Sequence, residues 1–196
     1  EKGVIVLGPD KHLTSAVVEF IAHNPQTKIA LSTQTKKVTQ QARDLVEKIV
    51  LERRVVYGVT TGFGNFKDKT ISPTEVRELQ KNLIRSHAAG VGPLLTVSEV
   101  RAAMLVRLNS LSHGYSGIRL EFLNLLVELL NRDVVPAVPA QGSVGASGDL
   151  APLSHIGLVM MGEGQAWVGG KLMDGGKALK QAGLKPLIFE AKEGLA

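Results

Sequence analysis

Cysteine is absent from the 196 residues of this sequence, and aromatic residues make up only 4% of it. Without cysteine there is no disulfide, no thiolate metal site and no cysteine nucleophile, and the composition suits a reducing cytoplasm. With so few aromatic rings, the core has to be built mainly from Leu, Val, Ile and Ala. The length alone favours one domain over two.

Long apolar runs and blocks of like charge are missing as well. No stretch approaches the roughly 20 apolar residues that a membrane span needs, and residues 1–4 lack the apolar centre of a signal peptide. The net charge is +5, but Lys and Arg are scattered among Asp and Glu, with no basic run between aromatics. These patterns argue against membrane and nucleic-acid partners and predict a cytoplasmic protein.

Apolar residues at helical spacing dominate the rest of the chain. In the segment 33–54 they predict one apolar face, formed by Val38, Ala42, Leu45, Val46 and Ile49. Capping patterns at Ser72-Pro73 and Thr96 open further helices, whereas Val55-Val56-Tyr57 is a short extended run. The predicted fold is mainly α with a few short strands, and its helices cover about 13–24, 33–54, 73–87, 97–114, 118–131, 150–161 and 174–182.

The segment from Gln141 to His155 carries the most unusual chemistry. A glycine after serine leaves its backbone amide unhindered, so the amide of Gly148 can attack the carbonyl carbon of Ala146 if the loop is compressed. Loss of two waters then gives a methylidene-imidazolone, which is an electrophile that needs no external cofactor. A phosphate-binding loop would need Lys and then Ser or Thr after the final glycine, but Asp149 stands there.

Three motifs in this order resemble the histidine/phenylalanine ammonia-lyase family. They are a tyrosine loop at Tyr57–Gly64, a substrate-binding helix at Asn82–Gly92, and the electrophile-forming segment Gly142–His155. Lys192–Ala196 is similar to a run that precedes further active-site residues. The resemblance covers nearly the whole chain, and members of the family are more than twice as long. It implies a helical ammonia-lyase-like fold, of which residues 1–196 form a single, truncated amino-terminal domain.

The resemblance also implies roles for individual residues. Ala146-Ser147-Gly148 would form the methylidene-imidazolone prosthetic group autocatalytically, and Asp149 would assist the cyclisation. Tyr57 would be the base that removes the proton beta to the amine. A phenol is a weak acid, so such a site needs nearby cations or helix dipoles. The residues expected to bind the substrate are His87, Gly64 and Leu150.

His87 bears on the choice of substrate. Within the family, Ser-His at this point resembles the histidine-specific members, and an imidazole can hydrogen-bond a substrate imidazole, which an apolar wall cannot. The expected reaction is therefore conversion of L-histidine to urocanate and ammonia, a step of histidine catabolism. A phenylalanine or tyrosine ammonia-lyase and an aminomutase remain alternatives, and so does a non-catalytic fragment or interaction module.

The remaining expectations concern metals and partners. His12, His23, His113 and His155 have no paired metal-ligand spacing, so we expect structural or exposed roles for them and no metal. Arg85 and Arg107 are expected in solvated or packing roles. The resemblance implies a homotetramer for the full-length protein. The 196-residue chain alone is expected to be inactive and to self-associate through exposed apolar residues of one helix, namely Phe122, Leu125, Leu126 and Leu129.

Overall fold

The computed structural model describes residues 3–61, 73–145 and 148–196. These residues form seven α-helices, as the mainly helical prediction requires. The helices are α1 Ser15–His23, α2 Thr33–Leu51, α3 Pro73–His87, α4 Val97–Leu111, α5 Leu120–Asn131, α6 Leu150–Met160 and α7 Gly175–Gln181. A short 3-10 turn follows at Glu193–Leu195.

The helices begin where local chemistry satisfies their first backbone N–H groups. Thr96 caps α4 through a complete capping box, in which its side chain accepts from Glu99 N–H and the Glu99 carboxylate accepts from Thr96 N–H. Thr14 and Ser32 cap α1 and α2 in the simpler way, with one side-chain oxygen each. The capping box of α4 confirms the prediction made from Thr96 and Glu99.

The described strands are short and form three small sheets. Two parallel strands pair near the start of the chain, and one antiparallel pair joins a strand after α3 to a strand before α6. A three-stranded antiparallel sheet combines another strand before α6 with two strands after it. The strands are β1 Val4–Leu7 with β2 Lys28–Leu31, then β3 Val91–Leu94 with β5 Pro139–Gln141, and last β4 Val135–Pro136, β6 Gln165–Val168 and β7 Lys171–Asp174. The second pair matters most for the site, because it joins the residues after α3 to those before α6.

Helices α4 and α5 form the centre of the main core. Met104, Leu108, Leu123 and Leu129 are fully buried there, and α3 packs along α6 beside them. A β-carbon at Gly157 would lie 3.2 Å from Ile84 Cδ1, so the two helices approach closely at this glycine. This close packing holds the ends of α3 and α6 side by side.

One sequence prediction about local structure is wrong in part. The buried face of α2 includes Arg43, whereas Leu45 is exposed. Burial of Arg43 is possible because its guanidinium donates to Glu47 and to two backbone carbonyls, at Gly117 and Ala191. No strand is assigned at residues 55–57, and the chain enters a turn at Tyr57.

The predicted exposed apolar face on α5 is wrong as well. Phe122, Leu125, Leu126 and Leu129 are all buried within this chain. The ring of Phe122 packs on that of Phe189, with centroids 5.2 Å apart, so residues distant in sequence cover this face. Among the described residues, no helix is long and apolar enough to cross a membrane.

Candidate active site

A cavity of about 420 Å³ opens between the carboxyl end of α3, the start of α6 and the last residues of the chain. Its floor is mainly apolar, and a few polar side chains and backbone groups converge on it, as is usual in sites for small molecules. The lining residues are Tyr57, Leu83, Ile84, His87, Arg107, Gly148, Asp149, Leu150, Leu153, Ser154, Gly194, Leu195 and Ala196.

Tyr57 reaches the cavity from a turn that is anchored beneath it. Thr60 is buried, and its hydroxyl oxygen accepts a hydrogen bond from Val56 N–H at 2.9 Å. The N–H of Thr60 donates back to Val56 O at 3.0 Å, and Gly58 adopts a φ of 70° that favours glycine. These two hydrogen bonds between Val56 and Thr60 hold the turn in place. The turn thereby presents the ring of Tyr57, which is 61% exposed, to the cavity.

His87 is the last residue of α3, and its neighbours determine which ring nitrogen carries the proton. Its Nδ1 lies 2.8 Å from Leu83 O, which can only accept. Nδ1 is therefore the protonated nitrogen, and in the neutral ring Nε2 is an acceptor. An acceptor at Nε2 suits a ligand that offers an N–H group.

Gly148, Asp149 and Leu150 form the opposite wall at the start of α6. Gly148 N–H donates to Gly145 O at 3.0 Å, and its φ of 103° is one that glycine tolerates best. The Asp149 carboxylate accepts from the hydroxyl of Ser143 and makes no side-chain cap bond to α6. Asp149 is thus oriented toward the loop that precedes the helix.

Arg107 adds a positive charge to the cavity wall. Its Nε donates to Ala196 O at 3.2 Å, and burial lowers the pKa of its guanidinium. A solvated or packing role was expected from the sequence, so its contribution to the cavity was missed. The available signal was an arginine on the same helical face as Met104, Leu108 and Leu111, which are all buried.

The residues from Gly194 to Ala196 form the floor of the cavity, and the segment that contains them is firmly attached. Glu193 accepts from the Arg119 guanidinium at 2.7 Å and 2.9 Å, and Gly194 N–H donates to Gln80 Oε1 at 2.8 Å. A β-carbon at Gly194 would lie only 2.8 Å from that oxygen. Glycine is therefore required where this segment crosses α3.

Most of the predicted site residues converge in this one cavity. Five of them line it, namely Tyr57, His87, Gly148, Asp149 and Leu150. The other three, Gly64, Ala146 and Ser147, lie outside the described residues. Within the described part of the chain, no three His, Asp or Glu side chains are grouped as a metal site.

Comparison with known proteins identifies the class. Residues 13–196 match the model of the aromatic amino acid lyase family, and the chain belongs to this family. It is 54% identical over 169 residues to a probable histidine ammonia-lyase of Thermoplasma acidophilum, a match that covers 86% of this chain and 34% of the relative. The chain thus spans about a third of the length of that curated relative.

Solved structures support the same fold. The histidine ammonia-lyase of Trypanosoma cruzi is 38% identical with a TM-score of 0.91, over 98% of this chain and 37% of that one. The ergothioneine-degrading ergothionase of Treponema denticola is 33% identical with a TM-score of 0.93, over 98% of this chain and 38% of that one. The ammonia-lyase-like helical fold expected from the sequence is confirmed.

Proposed function

We propose that the complete protein is an ammonia-lyase that converts L-histidine to urocanate and ammonia. The observation that carries the proposal is the single cavity lined by Tyr57, His87 and the residues Gly148–Leu150. Its volume of about 420 Å³ falls within the roughly 300–1,000 Å³ of small-molecule sites. The histidine ammonia-lyases among its relatives support the choice of reaction.

The family implies a methylidene-imidazolone group, and the described residue of the forming tripeptide fits it. Among the described residues, apart from its neighbour in the chain, no heavy atom lies within 4 Å of the position where a β-carbon of Gly148 would stand. The described surroundings of Gly148 therefore leave space for the ring that cyclisation onto Ala146 would form. The group would be held by Ala146-Ser147-Gly148, and it would supply an electrophile to the substrate.

Proton transfer is assigned to Tyr57 and Asp149. Tyr57 lines the cavity with its ring partly exposed, which suits a base that removes the proton beta to the substrate amine. Arg107 lines the same cavity. Asp149, which accepts from the Ser143 hydroxyl, would carry protons during the cyclisation.

Substrate recognition is assigned to His87, with Leu150 and Gly64 as further contacts. The protonated Nδ1 of His87 is engaged with Leu83 O, so Nε2 can accept the N–H of a substrate imidazole. A phenylalanine ring has no such donor and would leave Nε2 desolvated without a partner, which disfavours it. The acceptor at Nε2 of His87 therefore favours histidine over an apolar aromatic substrate.

The test is a substrate panel with the complete protein. Histidine, phenylalanine, tyrosine and ergothioneine are compared by kcat/KM, and the released amine (ammonia, or trimethylamine from ergothioneine) is measured together with the unsaturated acid and β-amino acid products. We expect histidine to be preferred and urocanate and ammonia to form in equal amounts. A β-amino acid product would instead indicate an aminomutase, and no turnover of any of the four would refute the proposed function.

Assembly, location and the activity of the short chain belong to the same proposal. We infer a homotetramer and a cytoplasmic location for the complete protein, and we expect residues 1–196 alone to be inactive. The chain spans about a third of its relative, so the substrate carboxylate would be bound by residues beyond Ala196. Urocanate formation by the isolated 196-residue chain would contradict this division of the site.

A further inference from the structure

A hydrogen bond between Gly90 and His155 joins the two helices that flank the cavity. Gly90 lies between the end of α3 and β3, and its N–H donates to Nε2 of His155 in α6 at 3.2 Å. The bond spans 65 residues of sequence. Gly90 lies three residues after His87, and His155 directly follows Ser154. Both His87 and Ser154 line the cavity.

The loop before α6 is packed against the same glycine. A β-carbon at Gly142 would lie 3.2 Å from Gly90 Cα and 3.0 Å from Ala151 Cβ. Val91, the next residue after Gly90, pairs with Gln141 across β3 and β5. Three segments therefore meet here, namely the end of α3, the chain leading to Ala146 and the first turns of α6.

His155 is suited to hold this junction because it is in the form that accepts. Its Nε2 faces an N–H donor and must therefore carry the lone pair, which assigns the proton to Nδ1. Burial lowers the pKa of His155, so the ring stays neutral at neutral pH. A β-carbon at Gly90 would lie 3.0 Å from Nε2, so the residue opposite the imidazole has to be small.

We propose that His155 is a positioning residue of the active site. By accepting a hydrogen bond from Gly90 N–H, it fixes the position of the carboxyl end of α3, which carries His87, relative to the segment that carries Ala146-Ser147-Gly148. The inference rests on the proposed function, since it assigns the end of α3 to substrate binding and the segment before α6 to the electrophile. His155 acts through Gly90 and does not itself line the described cavity.

The test compares three substitutions of His155 in the complete protein. In His155→Gln the amide oxygen reaches nearly as far as Nε2, whereas in His155→Asn it stops short, and His155→Leu has no acceptor. We expect His155→Gln to stay within about threefold of wild type in kcat, and the other two to fall by about tenfold or more. The Gly90 donor is partly buried, and loss of the acceptor from such a donor has effects of this order. Misalignment of reacting groups lowers kcat more than it raises KM.

Each kcat is divided by the fraction of protein whose mass is two waters below that of the encoded sequence. Incomplete formation of the electrophile is then not mistaken for mispositioning. Equal kcat in all three variants and wild type would overturn the proposal. Equal losses in His155→Gln and His155→Asn would also overturn it, because only the packing of the ring would then matter. If His155→Leu does not fold, the comparison of Gln with Asn decides the question.

Hydrogen–deuterium exchange at the Gly90 amide provides a readout that needs no substrate. We expect Gly90 to be protected in wild type and His155→Gln, and to exchange at least about tenfold faster in His155→Asn. If wild-type protein shows this exchange pattern but is inactive, the proposed function is refuted, and the hydrogen bond between Gly90 and His155 still stands. If exchange at Gly90 is unchanged in His155→Asn, the claim that His155 accepts the Gly90 N–H and positions the two segments is refuted.

Discussion

Glu193 and Arg119 form a two-pronged ion pair in which the carboxylate is wholly buried. The Glu193 side chain has 0% exposure, and that of Arg119 has 23%. One carboxylate oxygen also accepts from Arg119 N–H, and the other accepts from Glu190 N–H. Each oxygen is therefore satisfied by two donors, and the hydrogen bond to Glu193 raises the pKa of Arg119. This pair anchors the segment that forms the cavity floor.

Replacing Arg119 with Met should destabilise the protein by about 3–5 kcal/mol, because removal of one partner leaves a buried, uncompensated charge. The free energy of unfolding in urea measures the effect. Arg77→Met is the matched control, since it breaks an ion pair with Glu190 in which Arg77 is 62% exposed. The account fails here if the two variants are equally stable.

Replacing Tyr57 with Phe should lower kcat by about 10²–10⁴-fold, the usual contribution of a general base, and should change KM little. The ring is kept, so the loss falls on the transition state. Tyr115→Phe is the control, because Tyr115 is 91% exposed and does not line the cavity. Unchanged kcat in Tyr57→Phe would reduce Tyr57 to a packing role.

Replacing His87 with Leu should shift the ratio of kcat/KM for histidine and phenylalanine roughly ten- to a hundredfold toward phenylalanine. Loss of a buried hydrogen-bond partner costs about 1–3 kcal/mol. His113→Leu is a close control: His113 lies two residues beyond α4, and like His87 its Nδ1 contacts the carbonyl four residues earlier, here Asn109 O at 2.8 Å. A ratio that does not move would remove the main support for histidine as substrate.

The ion pair between Arg85 and Glu163 should give a pH-dependent contribution to stability. Its two hydrogen bonds, of 2.7 Å and 2.9 Å, join α3 to the end of α6. The hydrogen bond from Arg85 is the largest cause that lowers the pKa of Glu163 from its ordinary 4.5. The pair therefore stabilises the fold above pH 4.5, and this contribution is lost as the pH falls through the lower, folded-state pKa.

Urea unfolding of wild type and Arg85→Met at several pH values tests this. The difference in unfolding free energy should be largest at neutral pH and should vanish in acid below the folded-state pKa. Glu163→Gln should behave like Arg85→Met at neutral pH and lack the acid transition. A difference that is constant from neutral to acid would show that Arg85 acts by packing alone.

Local signals explain why most of the helices could be predicted. The capping box at Thr96 and Glu99 and the apolar spacing of α5 depend on residues only three or four apart. The pairing of β1 with β2 could not be predicted in this way, because Ile5 and its partner Ile29 are distant in sequence. Burial of α5 was misjudged for the same reason, since Phe189 covers Phe122.

The candidate site was predictable as a set of motifs, and its geometry was not. Tyr57, His87 and Gly148 stand in three separate motifs, and their meeting in one cavity depends on the packing of α3 on α6. Arg107 carries no motif, and its position in the wall follows from the fold. The same holds for His155, whose bond to Gly90 depends on two elements 65 residues apart.

The mass of the intact, complete protein tests the central claim most directly, because two waters are lost when Ala146-Ser147-Gly148 becomes an electrophile. The account predicts that wild type is two waters lighter than its encoded sequence and releases ammonia from histidine. It predicts that Ser147→Ala, which lacks the hydroxyl lost as one of the two waters, is never two waters lighter and loses several orders of magnitude in turnover. Wild-type protein of full, unmodified mass that still converts histidine to urocanate would contradict it.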